Sequence, residues 1–292
     1  MSDTAENLRR KISSASELQS VVRTMKALAA SSITQYQKSV LALADYYRTV
    51  ELGLGACLRA SEPAAPIPCS SRREATTAIV FGSDQGLVGQ FNGVVAEYAI
   101  EALKGRPGGH QVWAVGERVQ ARLADAGLPL LGLFAVPSSV RAIAALVGQI
   151  QIDCEGRWAK NENAELWVFH NRPLSGALYE PSSQRLLPLD ARWRQGLANV
   201  AWPTANLAEV MGGAATLRAL VREYLFISLF RACAESLAAE NASRLAAMQR
   251  ADKNIDDLLE QLHATSHQQR QSGIDEELFD VIAGFEALGG SR

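Results

Sequence analysis

The most constraining feature of this sequence is the absence of glycine and proline over a long stretch at each end. Residues 1–52 contain neither residue, residues 214–272 contain neither, and no proline follows Pro203. At a rise of about 1.5 Å per residue, these stretches predict helices of roughly 80 and 90 Å. A compact domain of this chain length is only roughly 40 Å across, so the helices must extend beyond it. Two such helices bury their apolar stripes most simply by winding around each other.

The N-terminal stretch repeats apolar residues at an interval of seven, which is typical of a coiled coil. The first row is Leu8, Ala15, Val22, Ala29, Tyr36, Leu43 and Val50. The second row is Ile12, Ile33, Val40, Tyr47 and Leu54. Gln19 and Lys26 interrupt the second row. We expect Leu18 and Met25 to fill that gap, because a nearly straight helix drifts by about 20° per heptad.

The C-terminal stretch has a looser apolar stripe. It runs through Leu217, Leu220, Tyr224, Leu237, Leu245, Met248, Ile255, Leu259 and Leu262, and ends with Ile274, Leu278, Val281, Phe285 and Leu288. An amphipathic helix lying on a core explains any single turn of either stripe equally well. It does not explain fifty residues without a break, so the pattern favours a coiled coil.

The sequence between these helices alternates strand-like and helix-like segments. Predicted strands are 76–81, 111–115, 130–136 and 165–170, and predicted helices are 90–103, 117–126 and 138–152. This alternation indicates a mainly parallel sheet covered on both faces. Two further runs, 177–180 and 185–189, predict an antiparallel hairpin that turns at residues 181–184 on one edge of the sheet.

The predicted fold class is therefore α + α/β. A long antiparallel coiled coil of the N- and C-terminal helices accompanies a central α/β (Rossmann-like) domain. The predicted boundaries are 1–58 for the first helix, 59–75 for a proline-containing linker, 76–203 for the α/β domain and 207–290 for the last helix.

Composition excludes several classes of protein. A net charge of −2 and a pI of about 6.1 argue against general binding to nucleic acid. The apolar runs are too short or too charged to span a bilayer, and the N-terminus lacks the apolar core of a signal peptide. Four cysteines, at 57, 69, 154 and 233, show no metal or redox spacing. We expect a cytosolic chain that reaches a membrane only through partners.

The glycine turn after the first predicted strand has the order expected of a phosphate site, namely strand, Gly-x-x-x-Gly-x-x-Gly and helix. An NAD-dependent oxidoreductase is therefore one candidate function. The spacing differs from Gly-x-Gly-x-x-Gly, however, and Asp84 would repel a pyrophosphate. We predict a structural turn, with glycines needed for positive φ and for close packing. Its residues are Gly82, Asp84, Gly86, Gly89 and Asn92.

Other candidate sites are weaker. His263 and His267 are four residues apart, which is a metal-ligand spacing on a helix, but no third ligand accompanies them. The carboxylates Asp256 and Asp257 lie on a helix expected to be exposed, which offers no enclosed pocket for acid–base catalysis. The sequence predicts no catalytic residue, no cofactor and no metal.

Several motifs, in order along the chain, resemble the gamma subunits of F-type ATP synthases. Residues 82–92 resemble that family's turn S/T-D-x-G-L-C-G-x-x-N, and residues 22–31, VRTMKALAAS, are similar to I-T-x-A-M-x-M-V-A-A-S. Residues 186–189 match L-L-P-L. Residues 235–248 resemble S-L-A-S-E-x-A-A-R-M-V-A-M. The resemblance covers nearly the whole chain.

The resemblance implies a non-catalytic central-stalk rotor that couples proton or sodium flow to conformational change at the catalytic sites of beta subunits. The implied partners are the alpha and beta subunits, the epsilon subunit and the membrane ring of c subunits. The implied location is peripheral, on the cytoplasmic face of the bacterial inner membrane. Implied partner-contact residues are Arg10, Arg23, Met25, Lys26, Arg244, Glu276, Leu278, Phe279 and Phe285.

The sequence departs from the family pattern at several positions. Gln85 and Val88 stand where the family usually has Arg and Cys, and residues 274–279, IDEELF, are more acidic than I-T-Q-E-L-T. These departures indicate a divergent branch. A coiled-coil scaffold or adaptor that does not rotate is the alternative function.

Overall fold

The computed structural model of the chain describes residues 2–60, 76–106, 109–158, 165–174, 179–189, 191–198, 200, 202–203 and 213–289. Its elements are α1 (Ser2–Ala60), β1 (Thr76–Phe81), α2 (Phe91–Lys104), β2 (His110–Val115), α3 (Glu117–Asp125), β3 (Leu130–Phe134), α4 (Val140–Trp158), β4 (Glu165–Pro173), β5 (Tyr179–Leu187), α5 (Ala191–Ala198) and α6 (Gly213–Gly289). The predicted linker lies outside the described residues from position 61 onward.

Contacts divide the chain into two compact units. The first unit comprises Met1–Leu28 and Leu245–Arg292, and the second comprises Ala29–Arg244. Both α1, with 59 residues, and α6, with 77 residues, are continuous helices. The long helices predicted from the missing glycine and proline are confirmed.

In the first unit, α1 and α6 pack through an apolar cluster. Buried Val22, Met248 and Ile255 form its centre. Polar contacts give the direction of the two helices, because Gln19 contacts Asp256 whereas Lys26, further along α1, contacts the earlier residue Asp252 of α6. The helices are therefore antiparallel in this unit.

In the second unit, α1 and α6 also run antiparallel. The rings of Tyr47 and Tyr224 lie 6.0 Å apart. Further along α1, Gly53 lies against the earlier α6 residue Leu220. In the first unit, the first heptad row is buried at Ala15 and Val22 and half-buried at Leu8; in the second unit, it is buried at Ala29, Tyr36 and Val50 and half-buried at Leu43. The predicted antiparallel pairing and its seven-residue row are confirmed.

The prediction that apolar neighbours fill the gap in the second row is wrong for Leu18 and confirmed for Met25, which packs against the apolar cluster of the first unit. Leu18 is 55% exposed, whereas Gln19 is only 8% exposed. Gln19 keeps its place in the row because its amide is hydrogen-bonded to Asp256 of α6. A buried polar side chain with a partner carries little desolvation cost, so the helix does not need to rotate an apolar residue inward.

The central sheet has the order β3-β2-β1-β4-β5. Strands β1 to β4 are parallel, and β5 is antiparallel to β4 at one edge. Helices α2 and α3 cover one face with residues such as Val95 and Val119. Helices α1, α4 and α6 cover the other face with residues such as Leu54, Ile143 and Ile227. The predicted parallel sheet with two covered faces is confirmed.

The predicted position of the edge hairpin is wrong. Residues 181–184 lie inside β5, which pairs with β4 rather than folding on itself. Pro181 faces Asn171 in the ladder. An edge strand tolerates proline because its other side needs no ladder hydrogen bond from that residue. Two further differences are α4, which continues past the predicted end at 152, and α5, which was not predicted.

Helix α6 is buried on all sides over residues 232–240. Small residues such as Ala234, Ala238 and Ala239 allow the helix to pack closely in this segment. The same segment contains the buried carboxylates Glu235 and Glu240. Buried carboxylates require hydrogen-bonded partners, which are described below.

Candidate functional site: the helix pair and the glycine turn

A polar cluster links α1 and α6 in the first unit. The Lys26 Nζ lies 3.0 Å from an oxygen of Asp252, and the Arg23 Nε lies 3.3 Å from the other oxygen. Arg23 also approaches Asp256 at 3.7 Å, and Gln19 donates to Asp256. The hydrogen bond from Lys26, supported by Arg23, lowers the pKa of Asp252. Arg23 and Lys26, predicted as partner contacts, thus also have partners within the chain.

Two other predicted contact residues lie in the same unit. Met25 is half-buried and packs against the cluster of Val22, Met248 and Ile255. Arg10 is exposed, and its guanidinium lies 3.8 Å from Glu6 on the same helix. An exposed pair of this kind leaves the arginine free to exchange partners at little cost.

The glycine turn begins with a close contact between β1 and α3. A Cβ placed on Gly82 would lie 2.4 Å from the Val119 Cβ and 2.7 Å from the Asn92 Oδ1. The Asn92 side chain accepts a hydrogen bond from the Ser83 amide at 2.9 Å and donates to the Ser83 Oγ at 2.8 Å. Close packing at Gly82 and the placement of Asn92 in a structural turn agree with the sequence interpretation.

The Asp84 carboxylate joins the ends of three parallel strands. Its Oδ1 accepts from the Glu117 amide at 3.0 Å, and its Oδ2 accepts from the Val136 amide at 2.8 Å. Glu117 is the first residue of α3, so the Asp84 carboxylate occupies the N-terminus of this helix, a position that favours anions. An anion would have to displace a carboxylate that the chain itself supplies. The chemistry of this turn is therefore that of a structural link.

The predicted positive φ at Gly86 is wrong. The positive φ values in this turn belong to Leu87, at 63°, and Gly89, at 57°. A Cβ on Gly86 would meet only the end of the Arg118 side chain, at 3.9 Å. Gly86 thus has neither the backbone conformation nor the close contact that requires glycine.

The turn is attached to helix α6. The Ser243 hydroxyl donates to the Val88 carbonyl at 2.6 Å. Val88 and Phe91 form an apolar cluster with Ala239 of the same helix. The turn therefore connects the carboxyl end of β1 to the buried segment of α6, within the second unit.

A small polar cavity of about 200 Å³ lies beside the turn, lined by Tyr36, Asp84, Glu240 and Arg244 among others. Arg244 donates to Glu240 at 2.6 Å, and both side chains are almost fully buried. Burial raises the pKa of Glu240, although Arg244 opposes that shift, and burial also raises the pKa of Tyr36. Arg244, predicted as a partner contact, is paired inside the second unit.

A second buried group links β4 to α6. The His170 Nε2 lies 2.8 Å from Glu235, and the Arg231 Nε donates to Glu235 at 2.7 Å. Burial disfavours the charged form of Glu235, but the hydrogen bonds from His170 and Arg231 outweigh it and lower the pKa of Glu235. The pair thus holds the sheet against α6 through an ionised carboxylate.

The C-terminal end of α6 presents apolar side chains to solvent. Leu278, Phe279 and Val281 are 57%, 69% and 67% exposed, and Glu276 is exposed as well. The side chain of Phe285 lies outside the described residues. Exposed apolar residues clustered on one helix end are typical of an interaction surface.

The sequence model of the ATP synthase family matches residues 4–288. The chain belongs to the ATP synthase gamma-chain family. The gamma chain of Syntrophus aciditrophicus is 25% identical to it over 97% of this chain and 98% of the relative. The gamma chain of a Nocardioides species is 29% identical over 99% of this chain and 97% of the relative. The family resemblance read from the motifs is confirmed.

Solved structures with a similar fold include a chain of the Euglena gracilis mitochondrial ATP synthase, in an assembly described as OSCP/F1/c-ring. The two structures superpose with a TM-score of 0.69 and are 15% identical in sequence. The match covers 100% of this chain and 97% of the Euglena gracilis chain. Members of the gamma-chain family are the rotor subunits of F-type ATP synthases. Among the described residues of this gamma chain, the helices lack the combination of length and apolar character that a membrane span requires.

The structure distributes the predicted site residues of this gamma chain over both units. Arg10, Arg23, Met25, Lys26, Glu276, Leu278, Phe279 and Phe285 belong to the first unit, and Arg244 and the turn residues belong to the second. Sequence reasoning missed the pairing of Gln19 with Asp256 and of Lys26 with Asp252, although the polar interruptions of the heptad row signalled that partners were needed. It also missed His170 and Glu235, which are 65 residues apart and gave no signal.

Proposed function

We propose that this gamma chain couples ion flow through a membrane ring to conformational change at the catalytic sites of beta subunits. The observation that carries the proposal is the buried attachment of the α/β sheet to helix α6 in the second unit. The Ser243–Val88 hydrogen bond and the Glu235–His170 pair form that attachment. A torque applied to the sheet is therefore transmitted to the helix through packed, hydrogen-bonded contacts.

The proposed shaft acts through differential contacts with the surrounding ring. A shaft made of two unlike helices presents a different surface to each catalytic subunit, and each contact shifts a subunit only by its different affinity for two states. Changing the ratio of two conformational states of a catalytic site from 1:99 to 99:1 requires a difference in contact free energy of about 5.5 kcal/mol. Exposed ion pairs, at about 1 kcal/mol or less, are too weak alone, so a broad contact surface is needed.

The exposed end of α6 is proposed to turn in an apolar sleeve of the alpha and beta subunits. Leu278, Phe279 and Val281 supply the apolar surface. Apolar contacts are not directional and allow rotation without one preferred angle. Glu276 and its acidic neighbours would face polar or basic groups of the ring.

The further partners are proposed to be the epsilon subunit and a ring of c subunits that translocates protons or sodium ions. The proposed location is peripheral, on the cytoplasmic face of a bacterial inner membrane. The chain itself is proposed to be non-catalytic, and two observations support this. The Asp84 carboxylate of the glycine turn is already bonded to the Glu117 amide, and the side chains of His170 and Glu235 are buried in pairing with each other.

Purification of the native complex through a tag on this chain tests the proposal. We expect alpha and beta subunits to co-purify with it, and ATP hydrolysis by that complex to drive ion pumping in reconstituted vesicles. A scaffold function predicts instead that the tagged chain is isolated alone or as a homodimer. An oxidoreductase function predicts micromolar NAD binding by the purified chain. Either of these results would contradict the proposal.

A further inference from the structure

Helix α1 of the first unit exposes three large apolar side chains beside its seam with α6. Leu18, Val21 and Leu28 are 55%, 54% and 64% exposed. At about 100° per residue, the three lie within about 80° of one another around the helix axis. Together with the half-buried Met25 they are spaced by three, four and three residues, which is the spacing of a coiled-coil stripe. Helix α1 therefore has a second apolar stripe next to the one that packs against α6.

The opposite side of α1 is polar. Arg23 lies between about 140° and 160° around the axis from each of the three exposed apolar residues. Its guanidinium is paired with two carboxylates of α6. The exposed residues Ser16, Ser20 and Ala27 lie on the same side as Arg23 and are small. In the first unit, α1 thus has an apolar side and a polar side, and the arginine of the polar side has its partners within the chain.

The charge and the spacing of the second stripe indicate which surface fits it. Its members, from Leu18 to Leu28, are all uncharged, so a charged partner surface would lose water there without gaining a counter-charge. Spacings of three and four residues match the ridges of another helix that packs at a small crossing angle. A partner strand would match alternate residues instead, because its side chains repeat every two positions. The surface that fits is an uncharged, apolar helix.

We propose that the stripe of Leu18, Val21, Met25 and Leu28 is the surface through which α1 contacts a helix of the surrounding alpha and beta subunits. The inference rests on the proposed function, which places the first unit inside that ring. Because the stripe occupies one side of α1, it gives the subunit that it faces an apolar contact that the other subunits lack at that moment. The surface supplies the broad contact that exposed ion pairs are too weak to provide.

Three variants of the full-length chain test this surface. L18Q/V21Q/L28Q makes the stripe polar with a residue that favours helices. S16Q/S20Q/A27Q is the matched control, because it introduces three glutamines on the polar side of the same helix. L18M/V21I/L28M is the conservative variant and keeps the stripe apolar. Each complex is purified through a tag on this chain, and loss of the chain from the complex at a fixed temperature is followed by native mass spectrometry.

We expect the complex of L18Q/V21Q/L28Q to lose the chain at least about tenfold faster than the unmodified complex, because three apolar side chains no longer gain from being covered. The control and the conservative variant should stay within about twofold of the unmodified complex, and the Tm of the free chain should be the same in all, since the changed residues are exposed. Failure of L18Q/V21Q/L28Q to assemble, at an unchanged Tm, supports the surface as well.

Two results would overturn the inference. One is unchanged retention of L18Q/V21Q/L28Q, and the other is equally fast loss of the control variant. If alpha and beta subunits co-purify with the unmodified chain, either result removes this contact surface and leaves the proposed function standing. Absence of alpha and beta subunits from the unmodified complex would overturn both.

Discussion

Substitution of Gly82 by alanine is the sharpest test of how the glycine turn is built. The added Cβ would lie 2.4 Å from the Val119 Cβ, and that atom belongs to the start of a side chain that cannot swing away. Overpacking of this kind costs about 1–3 kcal/mol. The same Cβ lies 2.7 Å from the Asn92 Oδ1, so the two Asn92–Ser83 hydrogen bonds are disturbed as well, at about 1 kcal/mol each. We expect Gly82→Ala to lower the free energy of unfolding by about 3–5 kcal/mol.

Gly86→Ala is the matched control, because it makes the same chemical change in the same turn. Its Cβ would meet only the Arg118 Nη2, at 3.9 Å, and its φ is not positive. The free energy of unfolding should stay the same or rise by up to about 1 kcal/mol, because alanine restricts the unfolded chain.

Urea unfolding followed by tryptophan fluorescence measures the effect of both variants, since all five tryptophans lie in the second unit. If the free energy of unfolding of Gly82→Ala lies within about 0.5 kcal/mol of that of the unmodified chain, the usual range for a neutral surface substitution, the reasoning is refuted. An equal loss in Gly86→Ala would refute it too.

Three further substitutions are predicted from the described contacts. Glu235→Gln should lower the free energy of unfolding of the second unit by about 3 kcal/mol at pH 7. Because folding lowers the pKa of Glu235 from 4.5, this loss should be complete above pH 4.5 and should disappear as the pH falls below the lowered pKa. Urea unfolding at several pH values checks this dependence. Asp84→Ala should speed hydrogen exchange at the Glu117 and Val136 amides by about ten- to a hundredfold, because both amides lose a hydrogen bond to the Asp84 carboxylate. Exchange at the amides of α5 should change little. Unchanged exchange at the Glu117 and Val136 amides would contradict the structural link. A triple variant, Leu278→Ser/Phe279→Ser/Val281→Ser, should leave the Tm of the free chain unchanged but lower the yield of assembled ATP synthase. The control on the same helix, His263→Ser/His267→Ser, changes two exposed residues and should affect neither quantity. Full assembly of the triple variant would contradict the proposed sleeve.

Most of the fold could be predicted because its signals are local. Missing glycine and proline predicted α1 and α6, and alternating apolar runs predicted the parallel strands within a few residues. The edge hairpin failed because Pro181 was read as a turn signal, whereas an edge strand accommodates proline without losing a ladder bond. Whether a proline lies at an edge depends on strand order, which the local sequence does not encode.

The site was predictable to a smaller extent. Asp84, Asn92 and Gly82 were identified as structural, because the turn motif places them within a few residues of each other. The positive φ predicted for Gly86 was wrong, because the φ of each turn residue depends on how the turn packs against Val119 and α6. The pairing of Glu235 with His170 could not be predicted, since it depends on which face of α6 meets the sheet. The polar partners of Gln19 and Lys26 required the helix register, which emerges only when both helices are aligned.

Direct observation of rotation tests the central claim that this chain is the turning element of the complex. The complex is fixed to a surface through its beta subunits, and a gold rod is attached through Lys104→Cys, an exposed position at the end of α2. With ATP present, we predict that the rod turns in one direction with three pauses in each revolution. A rod that stays still while the same molecules hydrolyse ATP would contradict the account and favour a scaffold that does not rotate.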